Sequence, residues 1–273
     1  MTLNCKGQLI DISTPKVMGI LNLTPDSFYD GGRYKNKSDI LSRVENMLIE
    51  GATFIDVGAY SSRPKAEHIS EDEELKRIVP IVELLLKSFP NILLSIDSFR
   101  SQVAKTCIEI GACIVNDISA GKLDQKMLQT VADLRVPYIM MHMRGTPKTM
   151  LELTQYENLV KEILFYFSER VNAARALGII DTIVDPGFGF AKTISQNFEL
   201  LHSLELFKIM ELPILVGLSR KSMIHKSLGI TANEALNGTT VLNTIALQKG
   251  ANILRVHDVK EAMECVRLFN LVN

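Results

Sequence analysis

The sequence predicts a (β/α)8 barrel occupying residues 1–273 as one domain, with its active site at the C-terminal ends of the strands. Three observations carry this reading. Eight short apolar runs rich in β-branched residues recur along the chain, segments of helical spacing separate most of them, and no Pro-, Gly- or Ser-rich linker interrupts the 273 residues. A doubly wound open sheet is the alternative architecture; eight is the strand count that closes a barrel.

The runs are KVMGILN (16–22), TFIDVG (53–58), ILLSID (92–97), ACIVND (112–117), PYIMMH (137–142), TIVD (182–185), PILVG (213–217) and NILRVH (252–257). Each is continuously apolar, as parallel strands buried on both faces require. Between them, residues 39–51 place apolar side chains at 40, 41, 44, 47 and 48 and close on Gly51, a helix with its C-cap. Residues 70–90 open on Ser70 followed by acidic residues, an N-cap favoured by the helix dipole. Segments 101–111, 156–178 and 237–250 are helical in spacing and also end in glycine.

Composition narrows the class. With 47% hydrophobic and 22% charged residues the chain reads as globular, and 30 basic against 31 acidic residues leave a formal charge of −1. No broad basic field is available for nucleic acid or an anionic membrane, so an anionic ligand must be held by a few local groups. Cys5, Cys107, Cys113 and Cys265 form no C-x-x-C pair and read as buried thiols of a reducing compartment. The N-terminus MTLNCKGQLID lacks an apolar signal core and no run approaches the roughly 20 residues of a membrane helix. A soluble, cytoplasmic protein is expected.

The strands stop on polar residues: Asn22, Asp97, Asn116 with Asp117, His142, Asp185, and Arg255 with His257. One Asn or Asp after a strand is more often a cap or turn residue, and one histidine more often a satisfied core group, than a catalyst. In a barrel, however, all these strand ends meet at one mouth, so together they read as a site. Arg255 and His257 are two apart and share a face; a guanidinium fork beside an imidazole suits a phosphate or pyrophosphate, although Arg255 pairing with Asp258 is the bland alternative. SRKS (219–222) brings Arg220 and Lys221 to the neighbouring mouth, where Ser222 opens a short helix whose backbone N–H groups suit an anion. DPGFGFAKT (185–193) is neither G-x-G-x-x-G nor a Walker A sequence, and its glycines let a loop bend beside a ligand. Asp97 and Asp185 read either as an acid/base pair or as clamps for a guanidine-like N–H edge.

Seven segments in order resemble the dihydropteroate synthase family along nearly the whole chain: MGILNLTPDSFYDGG (18–32), IDVGAYSSRP (55–64), SIDSFR (95–100), GACIVNDI (111–118), VDPGFGFAKT (184–193), VGLSRKS (216–222) and ILRVHD (253–258). The resemblance implies an enzyme that joins para-aminobenzoate to 6-hydroxymethyl-7,8-dihydropterin pyrophosphate, releasing pyrophosphate and 7,8-dihydropteroate. It implies a pterin pocket of Asp97, Asn116, Asp185 and Lys221 with Met141 as apolar wall. The pyrophosphate would lie against Asn22, Ser62, Arg63, Arg255 and His257, with Asn22 contacting Mg2+. Phe28, Pro64, Phe190 and Ser222 would form the para-aminobenzoate pocket. Asp30, Arg63 and Lys221 take the catalytic roles, Asp30 beside the reacting carbon. Loops 19–36 and 58–70 are expected to close over the site, and a homodimer is implied, with the apolar last helix KEAMECVRLFNLV a candidate surface. Tyr60, Ser62 and Lys65 depart from the family's Glu, Thr and Gly in the second loop. A corrinoid-linked methyltransferase barrel shares the pterin clamp but has no need of the TPDSF, SRK and R-x-H segments together.

Overall fold

The eight runs become the eight parallel strands of a barrel in a computed structural model that describes residues 1–23, 37–62 and 68–272. They are β3 (Lys16–Asn22), β4 (Phe54–Gly58), β5 (Leu94–Asp97), β6 (Ile114–Asp117), β7 (Tyr138–Met141), β8 (Thr182–Asp185), β9 (Leu215–Val216) and β10 (Ile253–Val256). The order β8-β7-β6-β5-β4-β3-β10-β9 follows the chain around the ring, and a parallel bridge between Val184 and Ile214 joins its two ends.

Helices α1 (Lys37–Glu50), α2 (Glu71–Ser88), α3 (Ser101–Ile110), α5 (Leu159–Ala176), α8 (Leu236–Gln248) and α9 (Val259–Val272) fall where the spacing puts them, and α7 (Ser222–Leu228) starts at Ser222. Ser70 caps α2 by accepting the Glu73 N–H. Helices α4 (Met127–Leu134) and α6 (Ile194–His202) complete the outer layer. The start of α6 is written in Thr193 and Gln196, which form a reciprocal capping box.

Successive side chains of a strand face opposite sides, and this alternation sorts the core. Val17, Leu21, Ile55, Val57, Leu94, Ile96, Val115, Val184, Val216 and Leu254 point outward into the layer shared with the helices. Met18, Phe54, Ile114, Ile139, Ile183, Leu215 and Ile253 point inward and fill the N-terminal end of the barrel. A feature that the sequence reading left without an element seals that end. β1 (Thr2–Cys5) and β2 (Gln8–Asp11) form an antiparallel hairpin, and buried Leu3, Cys5 and Ile12 pack onto the inward-facing layer. Its two-residue turn, Lys6–Gly7, has φ of 55° and 81°, the left-handed pair that matches the twist of a tight hairpin.

Candidate active site

The same alternation delivers the polar residues. On β4 the inward positions are Phe54, Asp56 and Gly58; on β5, Ser95 and Asp97; on β10, Ile253 and Arg255, with His257 continuing the face. In register, Asp97 lies beside Asn116 and Met141 beside Asp185, so four strand ends form one continuous floor.

Arg255 crosses this floor. Its Nε donates to Asp56 Oδ2 at 2.6 Å and its Nη2 to Asp97 Oδ2 at 2.7 Å, while Asn116 Nδ2 also donates to Asp56 Oδ2 at 2.9 Å. Asp56 is fully buried and anchors two residues of the expected site. Sequence reasoning passed over it. A carboxylate at an inward position of an otherwise apolar strand was the available signal, because such a charge demands a partner. Arg255 is therefore matched by two carboxylates and is not paired with Asp258. Burial pushes Asp97 up to about 7 in spite of the nearby guanidinium.

Asp185 and Lys221 face each other across the remaining side. Burial raises the Asp185 carboxyl, with the Lys221 charge opposing that shift, and its Oδ1 accepts the Gly187 N–H at 2.8 Å. Lys221 is lowered to about 8, chiefly by burial, and its Nζ donates to the Phe188 carbonyl and stands 5.1 Å from the centre of the Phe190 ring. The loop 186–192 is fastened from beneath. Asn197 accepts the Gly189 N–H at 2.6 Å, and Lys192 donates to the carbonyls of Gly187 and Phe190. A side chain on Gly187 would place its Cβ 2.1 Å from the His142 carbonyl oxygen, so the second position of this loop has to be glycine.

A cleft of about 980 Å³ opens above this floor. Asn22, Ser62, Asp97 and Phe190 line it, as do Lys221, Ser222, Arg255 and His257; Asn116, beside Asp97 in register, and Met141 and Asp185 are buried strand-end residues outside its lining. Tyr60 also lines it, held by an edge contact to Phe99, a hydrogen bond between its hydroxyl and His68 Nδ1 at 3.2 Å, and the Arg100 guanidinium 5.3 Å from its ring. Arg100 is in turn bound to buried Glu74 at 2.5 Å. Phe28, Asp30, Arg63, Pro64 and Lys65 lie outside the described residues.

Two readings of the strand ends are corrected, and the role of Arg220 is refined. Asp117 is out of phase with Asn116 and turns away from the floor, accepting from Ser119, Gly121 and the Tyr138 hydroxyl to organise a turn. His142 is out of phase with Met141 and packs edge-on against Tyr166 at 4.8 Å; burial drives its pKa well below the usual histidine range, so it is neutral. Arg220 stands at the cleft beside Lys221, as expected, but is already paired. It grips Asp258 with two bonds of 2.8 and 2.9 Å and donates to the carbonyls of Ala232 and Asn233, fixing the 218–222 turn. Among the described residues no three His, Cys, Asp or Glu side chains gather as a metal cage. The Asn22 amide oxygen at the cleft is the kind of hard donor that suffices for an ion carried in by a phosphate substrate.

Residues 18–257 match the family of pterin binding enzymes, a span that contains every rim and floor residue above. The dihydropteroate synthase of Escherichia coli (strain K12) is 42% identical over 270 residues, which cover 98% of this chain and 95% of that one. The chain belongs to the dihydropteroate synthase family. A crystal structure of the Yersinia pestis dihydropteroate synthase in complex with a sulfonamide drug is 40% identical and superposes with a TM-score of 0.95, covering 100% of this chain and 99% of that one. The Xanthomonas albilineans dihydropteroate synthase with 4-aminobenzoic acid is 35% identical, with a TM-score of 0.91 over 99% and 97% of the two chains.

Proposed function

We propose that the protein acts as a dihydropteroate synthase, condensing 6-hydroxymethyl-7,8-dihydropterin pyrophosphate with para-aminobenzoate to give 7,8-dihydropteroate and pyrophosphate. The observation that carries this reading is the floor itself. Asp97, Asn116 and Asp185 face one buried plane with Lys221 at its edge, a donor and acceptor set complementary to an amino-pyrimidinone ring. Asp185 accepts two N–H groups from the amino edge, Asn116 reads a mixed edge, Lys221 donates to the ring carbonyl and Met141 supports the apolar face.

The carbon–oxygen bond to pyrophosphate breaks first, its electron pair leaving with the phosphate oxygen. The arylamine lone pair then forms the carbon–nitrogen bond, and the amine proton passes to pyrophosphate or water. The arylamine is neutral near pH 7, so no strong base has to act before attack. His257 and the outer edge of Arg255 face the departing charge, and Ser222 and Phe190 hold the arylamine. The roles that the family resemblance gives Asp30 in catalysis, Arg63 toward the pyrophosphate, and Phe28 and Pro64 toward the arylamine complete the assignment. Asn22 and the substrate's phosphates would hold Mg2+, which when bound neutralises the leaving group.

A homodimer through α9 is part of this proposal, supported by exposed Leu268, Leu271 and Val272 on that helix. So is a cytoplasmic location, supported by four buried, unpaired cysteines; no helix among the described residues is long and apolar enough to cross a membrane. The deciding experiment supplies purified protein with the dihydropterin pyrophosphate and labelled para-aminobenzoate, with Mg2+ or a chelator. Magnesium-dependent label in dihydropteroate is the expected result. Pterin binding without product would point instead to a non-catalytic relative or a methyltransferase, and absence of binding would overturn the reading.

A further inference from the structure

Lys192 is the one basic residue of the DPGFGFAKT segment, and it is enclosed, with 5% of its surface exposed. Its ammonium has three N–H donors, and three acceptors meet them: Gly187 O at 2.9 Å, Phe190 O at 3.0 Å and His142 Nδ1 at 3.0 Å. No carboxylate is among these partners, which is unusual for a buried cation. With every donor engaged by the protein, Lys192 has none to offer a ligand. What it holds is the backbone on which two site residues depend. The carbonyl of Phe188, between its two carbonyl partners, receives the Lys221 ammonium, and Phe190 presents its ring to the cleft.

We propose that Lys192 is a positioning residue that sets the 187–190 loop, and through it the placement of Lys221 and Phe190, for pterin and arylamine binding. This rests on the roles given to Lys221 and Phe190 above. Neutral His142 takes part as the third acceptor, which gives this buried imidazole a purpose that its place beneath the rim leaves otherwise unexplained. The charged groups facing Lys192 are Asp185, Lys221 and Arg144. Burial lowers Lys192 to about 7, and a neutral amine would offer only two donors to three acceptors.

A double-mutant cycle tests the idea, with the dissociation constant of 6-hydroxymethyl-7,8-dihydropterin pyrophosphate read by calorimetry and folding followed by thermal melts. K192M is expected to weaken binding at least about tenfold, the loss of one or more charge-assisted hydrogen bonds to the site's frame. In a K221M background the same change should cost less than about twofold, because its effect passes through Lys221. Wild-type affinity in K192M, with only a lower melting temperature, would overturn the proposal, and so would losses that multiply in the double variant. Should K192M not fold, K192Q, a neutral side chain with two N–H donors, takes its place in the cycle. If K221M itself binds like wild type, the reading of Lys221 fails separately. The positioning role then stands on a raised arylamine KM in K192M and falls without one.

Discussion

Arg255 on β10 reaches Asp97 on β5 at 2.7 Å, tying together strands separated in the barrel by β3 and β4. With Asp56 beneath, the guanidinium is the counter-charge for two carboxylates inside a ring whose lower half is apolar. Replacing it by Arg255→Met leaves both uncompensated. A loss of about 3–5 kcal/mol in urea unfolding at neutral pH is expected, as for other buried pairs broken on one side. The loss should shrink in acid as Asp97 protonates. A loss below about 1 kcal/mol would show that the floor tolerates the charges without Arg255.

Asp185→Asn separates binding from stability. Asn keeps an oxygen for the Gly187 N–H and removes a charge whose burial is unfavourable, so unfolding stability should hold or rise slightly. Pterin affinity should fall by about 1.5–3 kcal/mol, since a carboxylate with two acceptors is replaced by an amide with one. Titration calorimetry with the dihydropterin pyrophosphate measures it; unaltered affinity would remove Asp185 from the clamp.

The pH dependence of activity and of stability should run in opposite directions on the alkaline side. Lys221 donates to the ring more strongly as an ammonium than as a neutral amine, so kcat/KM should fall as pH rises through about 8, and Lys221→Arg should flatten that limb. Because its folded pKa lies below the ordinary 10.5, the unfolded chain binds this proton more tightly between those values, and the contribution of Lys221 to stability grows with pH across that window. On the acid side, activity should decline as Asp97, near 7, and Asp185 take up protons. A flat profile from 6 to 9 would contradict the assignments of Asp97 and Lys221.

Leu3→Ala should do the reverse of Asp185→Asn. Leu3 is 1% exposed in the layer beneath the floor. Truncating it should cost about 2–5 kcal/mol of stability while both KM values stay within error. A large KM change would mean that the hairpin shapes the site directly.

How much of this was legible depends on whether a signal was local. The eight strands were, because continuous apolar runs are required wherever helices cover a parallel sheet. The convergence of Asn22, Asp97, Asn116, Asp185, Arg255 and His257 followed from barrel geometry alone. The same two-residue period that placed Arg255 with His257 would have separated Asn116 from Asp117 and Met141 from His142, since neighbours on a strand cannot both face inward. Asp56 hid within a run read as apolar, and its partners are 60 and 199 residues away, which no window could join. The hairpin was short, but Lys6–Gly7 between alternating residues was a readable turn. Arg220 could not be told from Lys221 by sequence, since only the fold brings Asp258 to one and Phe188 to the other.

The hairpin closes the N-terminal end of the barrel, and among the described residues the cleft opens at the C-terminal end. Asn116, Met141 and Asp185 are buried strand-end residues, and Ser222 and Phe190 line the passage itself. On the proposed reading, the order of events becomes a matter of queueing: the pterin enters first, the arylamine comes in behind it, and pyrophosphate leaves by the way the arylamine arrives. Arylamine bound ahead of the pterin would bar the passage, so excess para-aminobenzoate should slow turnover and excess pterin substrate should not.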